Sequence, residues 1–255
     1  MTAAPITLTV LGAGPAWSDR VGSSGASYLV RSAGAAVLLD LGQGSFPRLV
    51  ASTEPSDLDA VVISHLHPDH FIDLIPLRHY LAYQHKPARS VRVIAPAGLS
   101  RRLDALHDEP GFTAVSLDVE PFAAEPAVLG DLTLEARRVT HTNNSHAVRI
   151  APADGPGLVY SGDCGVAADL APLIRPGDTL LVEVSFGAGP VPPGALHLNA
   201  DAIAGLVRST EPGFVLLTHL QMALDRERPV EIVRAATPGP VRLVEPGDVV
   251  ELPRT

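Results

Sequence analysis

Residues 58–64 (LDAVVIS) form an apolar, β-branched run that passes without a spacer into HLHPDH. Such a run reads as a buried strand, so His65, His67, Asp69 and His70 crowd into six residues at the end of a core element. Side chains two apart on an extended segment point the same way, which lets His65 and His67 grip one ion. Pro68 suits the first position of a helix, and residues 71–83 space their apolar side chains as a helix does. Asp69 and His70 then turn toward a neighbouring point, an arrangement that invites a second ion. A histidine-rich loop that only caps a helix is the alternative, but four metal-type side chains beside a buried strand are costly to desolvate without a partner.

Imidazole and carboxylate donors suit Zn²⁺ and tolerate Mn²⁺ or Fe. Cys164 is the only cysteine in 255 residues, which excludes a thiolate cage or an internal disulfide and suits a reducing, cytoplasmic setting. No apolar run approaches the roughly 18 residues of a membrane span, and the first basic residue is Arg20, so neither a membrane nor a secretory leader is expected. The net charge of −9 argues against a stable nucleic-acid partner, because duplex recognition needs a positive footprint. With 46% hydrophobic and 18% charged residues there is material for a sizeable core. No linker divides the chain, so residues 1–255 read as one domain.

The patterning predicts strands over 6–11, 27–31, 36–40, 58–64, 91–95, 113–119, 132–140, 147–150, 158–161, 179–184, 214–218, 241–244 and 249–252. Helices are expected over 71–83, 99–107, 166–174, 200–209 and 228–236. Proline- and glycine-rich stretches at 151–157 and 187–194 are loop-sized. This is an α/β protein, two sheets between outer helices, with active loops along one edge. Helices such as 71–83 offer a face for a homodimer.

Two ions need more ligands than HLHPDH supplies, and three residues stand at other strand ends: His141, Asp163 in YSGDC, and His219 in VLLTHL. Each alone is more often a satisfied hydrogen-bonding group; together they fit a shared edge. Cys164 follows Asp163, but successive strand residues face opposite ways, so it reads as a buried thiol.

HLHPDH, followed by a lone His, an SGD segment and a strand ending in TH, resembles the signature of the metallo-β-lactamase-fold hydrolases. The resemblance runs over nearly the whole chain. It implies a four-layer αββα sandwich with His65, His67 and His141 on one metal, Asp69, His70 and His219 on the other, and Asp163 bridging both. Asp40, in LLDLGQG, matches the family's early Asp that supports a ligand; taken alone it also reads as a turn carboxylate. Two divalent ions outweigh the carboxylates of Asp69 and Asp163, leaving a cationic site that lowers the pKa of bound water and stabilises an attacked phosphoryl or carbonyl group.

Within that superfamily VLGAGPAW, RVTHTNNSHAVRI, LVEVSF and LHLNADAIAGL resemble the ribonuclease Z branch and its cyclic-nucleotide phosphodiesterase relatives. The resemblance implies that His197 protonates the leaving alkoxide and that Glu183 orients it, with Asp69 also serving the chemistry. His197 otherwise reads as a residue leading into a helix capped by Asn199. Transfer-RNA processing members carry a long arm between the lone His and the bridging Asp, and the stretch from His141 to Asp163 leaves no room for one. The expected substrate is therefore a small phosphodiester such as a cyclic nucleotide. A lactonase or other carboxylic or thioester hydrolase is the alternative, with a transfer-RNA endonuclease or a non-catalytic metal-binding protein behind it. Asn143, Asn144 and His146 could bond substrate or be solvated loop polars. Tyr83 and His85 read as surface residues.

Overall fold

The computed structural model describes residues 5–253. The chain opens with a meander, β1 (Thr7–Gly12), β2 (Ser27–Arg31) and β3 (Ala36–Leu39), followed by α1 (Phe46–Ser52) and β4 (Ala60–Val62). The metal-type loop leads from β4 into α2 (Pro68–Phe71) and α3 (Leu74–Tyr83), then β5 (Val91–Ala95), α4 (Leu99–His107) and β6 (Leu117–Pro121). The second half contains β7 (Ala127–Leu129), β8 (Leu132–Arg138), β9 (His146–Pro152), β10 (Leu158–Tyr160) and β11 (Thr179–Glu183). It ends with α5 (Ala200–Thr210), β12 (Phe214–Thr218), α6 (Arg228–Arg234), β13 (Val241–Leu243) and β14 (Val249–Glu251).

Two seven-stranded sheets result, in the orders β14-β1-β2-β3-β4-β5-β6 and β13-β12-β11-β10-β9-β8-β7. Each is antiparallel in one half and parallel in the other: β3 to β6 and β10 to β13 are parallel. Three apolar clusters define the layers. Tyr28, Val37, Leu39 and Val62 of one sheet meet Val148, Ile150, Tyr160 and Leu181 of the other between the sheets. The alternate residues Leu29, Leu38 and Val61 face Leu49, Leu77 and Leu103 of the first helical layer. Val159, Leu180 and Val215 face Ile203, Val207 and Val233 of the second. Strands covered on both faces have no polar face to show, so they read as continuous apolar runs. The arrangement is an αββα sandwich.

Several element boundaries differ from the sequence expectation for local reasons. Residues 113–115 form a 3₁₀ turn, because the Thr113 amide and hydroxyl both donate to Asp104 at the end of α4, at 2.9 and 2.6 Å. Only Ala167–Leu170 of the expected 166–174 helix is helical, and as a single 3₁₀ turn; Pro172 cannot continue it. The expected 71–83 helix is two helices, since Asp73 is drawn aside: its amide donates to Leu41 O and its carboxylate accepts from Phe46 N at 2.9 Å. The strand β7 and the short helix α1 carry too little apolar periodicity to be seen in advance.

The loop after β4 lies directly on the chain leaving β3. Leu41 N donates to His70 O, and Ala26 N donates to Asp69 O. A Cβ on Gly42 would stand 1.9 Å from the Asp69 carbonyl oxygen, so only glycine allows the approach. Gly42→Ala is expected to destabilise the fold by about 1–3 kcal/mol through overpacking against backbone and to lower metal uptake in parallel. A melting curve and metal analysis of the purified variant check this; wild-type stability and metal content would contradict the approach.

Candidate metal centre

The ligand-type side chains sit where parallel strands run out, the usual place for sites on α/β sheets. β4 delivers His65 through His70, β10 delivers Asp163, β12 delivers His219, and β11 ends at Glu183. His141 comes from the turn between β8 and β9, which the His146 amide pins to Ser64 O at 3.0 Å. The His219 amide likewise donates to Ala13 O across the sheets. His219 itself has φ of 58°, a strained left-handed conformation for a non-glycine residue that turns its ring back over the sheet edge.

Two four-residue clusters share Asp163: His65, His67, His141 and Asp163 form one, and Asp69, His70, His219 and Asp163 the other, while a smaller group joins Asp163 to Glu183 and His197. In the first, Asp163 Oδ2 lies 3.6 Å from both His65 Nε2 and His141 Nε2, and His141 Nε2 is 3.1 Å from His67 Nδ1. In the second, Asp163 Oδ1 lies 3.4 Å from His70 Nε2 and 3.6 Å from His219 Nε2, while Asp69 Oδ2 is 3.3 Å from His219 Nε2 and 3.7 Å from His70 Nε2. Ligand atoms about 2.0–2.2 Å from one tetrahedral ion stand about 3.3–3.6 Å apart. His65 Nε2, His70 Nε2 and Asp163 Oδ1 are buried without a hydrogen-bond partner, a costly state for polar atoms unless a cation joins them. The donor set therefore fits metal ions in both clusters.

A second ring of contacts orients these donors. Asp40, at the end of β3 with φ of 55°, accepts from Ser64 N at 2.6 Å, from Ser64 Oγ and Tyr160 OH at 2.7 Å, and stands 2.7 Å from His70 Nδ1. It thus takes the supporting role that the resemblance implies and is no mere turn carboxylate. Burial and Asp40 push the Tyr160 hydroxyl well above its ordinary pKa, which keeps it a donor. His141 Nδ1 donates to Leu196 O at 2.7 Å, leaving Nε2 free to ligate. Ser185 Oγ stands 3.1 Å from His219 Nδ1 and 3.2 Å from His197 Nδ1. Ser185 carries no metal-type signature of its own in the sequence, although its place two residues beyond Glu183 in LVEVSF puts both on one face of the strand end.

His197 Nδ1 lies 2.9 Å from Glu183 Oε1, a hydrogen bond and not a ligand spacing. Glu183 is already engaged by the amides of Cys164 and Leu198, both at 3.2 Å, and of Ser185 at 2.9 Å. His197 also lies 3.9 Å from Asp163 Oδ2 and lines, with His67, Asp69, Asp163 and His219, an open cleft of about 430 Å³. Asn199 caps α5 by accepting from Ala202 N. Asn143 and Asn144 line a separate hollow beside His67 and Arg102. His146 is turned away, stacked on Phe122 with ring centroids 4.3 Å apart. Tyr83 is exposed and His85 sits 3.3 Å from Glu54, far from both clusters. Cys164 is buried in the apolar layer, and burial pushes its thiol up to about 12.

The two clusters differ electrostatically. Burial and the neighbouring His70 hold His65 well below the ordinary histidine range, against the pull of Asp163, and burial lowers His67 and His141 as well. Burial opposes charge on His70 and His219 too, but Asp163 with Asp40 outweighs it at His70, and Asp163 with Asp69 outweighs it at His219, so both are raised. Burial likewise opposes the Asp163 anion, yet His219 and His70 hold the carboxyl well below its ordinary value. A cation entering the second cluster must displace protons from His70 and His219. Metal loading near pH 7 is therefore expected to release about one to two protons per chain, and affinity to fall as pH drops. Calorimetric titration in two buffers of different ionisation enthalpy measures this; loading without proton release would contradict it.

Comparison with known proteins identifies the family and the fold. Residues 37–220 match the beta-lactamase superfamily domain. The uncharacterized protein Rv1339 of Mycobacterium tuberculosis is 31% identical, with 99% of this chain and 94% of that protein covered. Ribonuclease Z of Mycobacterium marinum is 29% identical over 72% of this chain and 68% of its own length. The probable metallo-hydrolase YhfI of Bacillus subtilis is 24% identical over 76% of this chain and 78% of its own length. The crystal structure of YhfI has a TM-score of 0.86 at 22% identity, covering 97% of this chain and 99% of that one. With two sheets meeting at one ligand-bearing edge, the chain belongs to the metallo-hydrolases of the beta-lactamase superfamily.

Proposed function

We propose that the protein is a phosphodiesterase acting on a small phosphodiester such as a cyclic nucleotide. The observation that carries this reading is the pairing of His197 with Glu183 beside Asp163. A phosphodiester leaves an alkoxide that needs a proton at neutral pH. Burial opposes charge on His197, but the hydrogen bond and charge of Glu183 outweigh it and raise the ring's pKa. With Nδ1 held by Glu183, Nε2 is free to give its proton to the departing oxygen. Glu183, fixed by three backbone amides, keeps the ring in that tautomer and orientation.

His65, His67 and His141 would hold one divalent ion and Asp69, His70 and His219 a second, with Asp163 between them; Zn²⁺ suits these donors, and Mn²⁺ or Fe is compatible. When bound, the ions supply Lewis-acid activation of water and offset charge on the phosphoryl group. Asp69, which lines the cleft with Asp163, would accept a hydrogen bond from the attacking water. The similarity to a ribonuclease Z supports phosphodiester chemistry, but the chain from His141 to Asp163 holds only β9, residues 153–157 and β10. That leaves no protruding arm to grip RNA, and the net charge of −9 favours a small substrate.

The test is turnover of metal-loaded protein on bis(p-nitrophenyl) phosphate, on 2′,3′- and 3′,5′-cyclic nucleotides and on a homoserine lactone, beside His65→Ala as a control. Metal-dependent cleavage of the phosphodiesters is expected; lactone opening with inert phosphodiesters would replace this reading with a carbonyl hydrolase. His197→Ala should keep its metal and lose about 10²- to 10⁴-fold in kcat, whereas Asp163→Ala should lose metal and activity together. Full turnover in His197→Ala would remove that ring from the mechanism.

A further inference from the structure

One wall of the cleft takes no part in holding ions or moving protons. It is made by Pro15, Ala16 and Trp17 from the loop between β1 and β2, with Gln221 and Met222 from the segment after His219. Trp17 is the only tryptophan of the chain and is 70% exposed. An indole left in water at the rim of a site is a cost that a structural role does not explain. No other ring among the described residues lies against it.

The loop is nevertheless held in place. Gln43 Nε2 donates to the carbonyls of Pro15 and Ala16, both at 3.3 Å. Arg48 donates to Gly22 O at 2.6 Å and to Ser24 Oγ at 3.1 Å, and Gly14 N donates to Ser24 O at 2.8 Å. Gln43 and Arg48 flank the start of α1, close in the chain to Asp40, so the indole is anchored to the same part of the first sheet as the metal-type loop.

The cleft thus has two chemically distinct ends. Its floor carries His67, Asp69, Asp163, His197 and His219, while its wall carries an indole, a thioether, a proline and no lysine or arginine. An anionic group has nothing to hold it on the wall, and a flat neutral ring has. The volume of about 430 Å³ is of the size that takes a small ligand, and Gln221, lining the same cleft as the indole, offers both a donor and an acceptor amide.

We propose that Trp17 is the platform on which a nucleobase of the substrate stacks, with Gln221 at the base's polar edge, so that the phosphodiester taken by this site is a nucleotide. The proposal rests on the phosphodiesterase reading for the placement of the phosphate over the ligand-bearing floor. Stacking of a base on an aromatic side chain is general for the base's face, so Trp17 governs whether a base is bound and Gln221 which one.

The sole tryptophan makes the test direct. Adenosine 5′-monophosphate added to the metal-loaded protein is expected to quench the intrinsic tryptophan fluorescence saturably, and ribose 5-phosphate is expected not to. Trp17→Ala, a change at an exposed position, should raise KM for adenosine 3′,5′-cyclic phosphate about tenfold with kcat unchanged. Trp17→Phe should restore most of the loss, and the base-free ribose cyclic phosphate should be cleaved equally by wild type and Trp17→Ala. Cleavage of cyclic nucleotide without quenching and with the same KM in Trp17→Ala would overturn the platform and leave the phosphodiesterase standing. Quenching by the nucleotide without cleavage of any phosphodiester would keep the platform and remove the phosphodiesterase; neither quenching nor cleavage would overturn both.

Discussion

The buried carboxylate of Asp40 is the contact on which the site depends. A charge at full burial must be met on all sides, and Asp40 is met by the Ser64 amide and hydroxyl, the Tyr160 hydroxyl and the His70 ring. Those partners come from the loop after β4, the end of β10 and the first turn of α2. One side chain therefore sets the spacing of the two sheets at their working edge, and it fixes which nitrogen of His70 faces Asp163. Its left-handed backbone is part of the same device: with an ordinary extended φ the carboxylate would leave the strand on another heading. Tyr28, hydrogen-bonded at 2.6 Å to Thr218 and in ring contact with Tyr160, repeats the cross-sheet tie one step deeper in the core.

From that fixed point the chemistry divides by charge. Asp163 stands between a group of histidines held neutral by burial and mutual repulsion and a group held proton-binding by extra carboxylates. The first would ligate as it stands; the second would exchange protons for a cation. Beside both, Glu183 forms its side-chain ion pair with His197, and its charge also acts to raise His141 and His219. Placing four carboxylates, Asp40, Asp69, Asp163 and Glu183, among six histidines without leaving any as an isolated buried charge is what the strand ends achieve, because the strands bring polar residues to one edge and hide their own side chains in apolar layers.

How much of this could be read in advance depends on how local each feature is. HLHPDH announced itself because its ligand types are adjacent and follow an unbroken strand. His141, Asp163 and His219 are ordinary strand-end residues whose meaning comes from meeting each other, and only the order of motifs along the chain suggested the meeting. The αββα layering was legible in the alternation of apolar strands with amphipathic helices. Pro172 and Asp104, by contrast, broke or replaced expected elements through single contacts that periodicity does not register. Ser64, Tyr160 and Ser185 were invisible as site residues for the same reason: each acts through a partner distant in the chain or across a strand end. His146, grouped with Asn143 and Asn144 by position, was separated from them by one stacking contact with Phe122.

The wide spread of the cluster along the chain bears on how the protein is made. Asp69 and His219 lie 150 residues apart, and synthesis proceeds at about 5–20 residues per second with N-terminal parts folding first. HLHPDH therefore leaves the ribosome about 8–30 s before its last partner is built. During that interval the first sheet can form its helical layer, but its inner face and its histidines have nothing to close against. The nascent chain thus passes through a stage in which the segment richest in metal-type side chains is present and the partners that would complete a site around a cation are not.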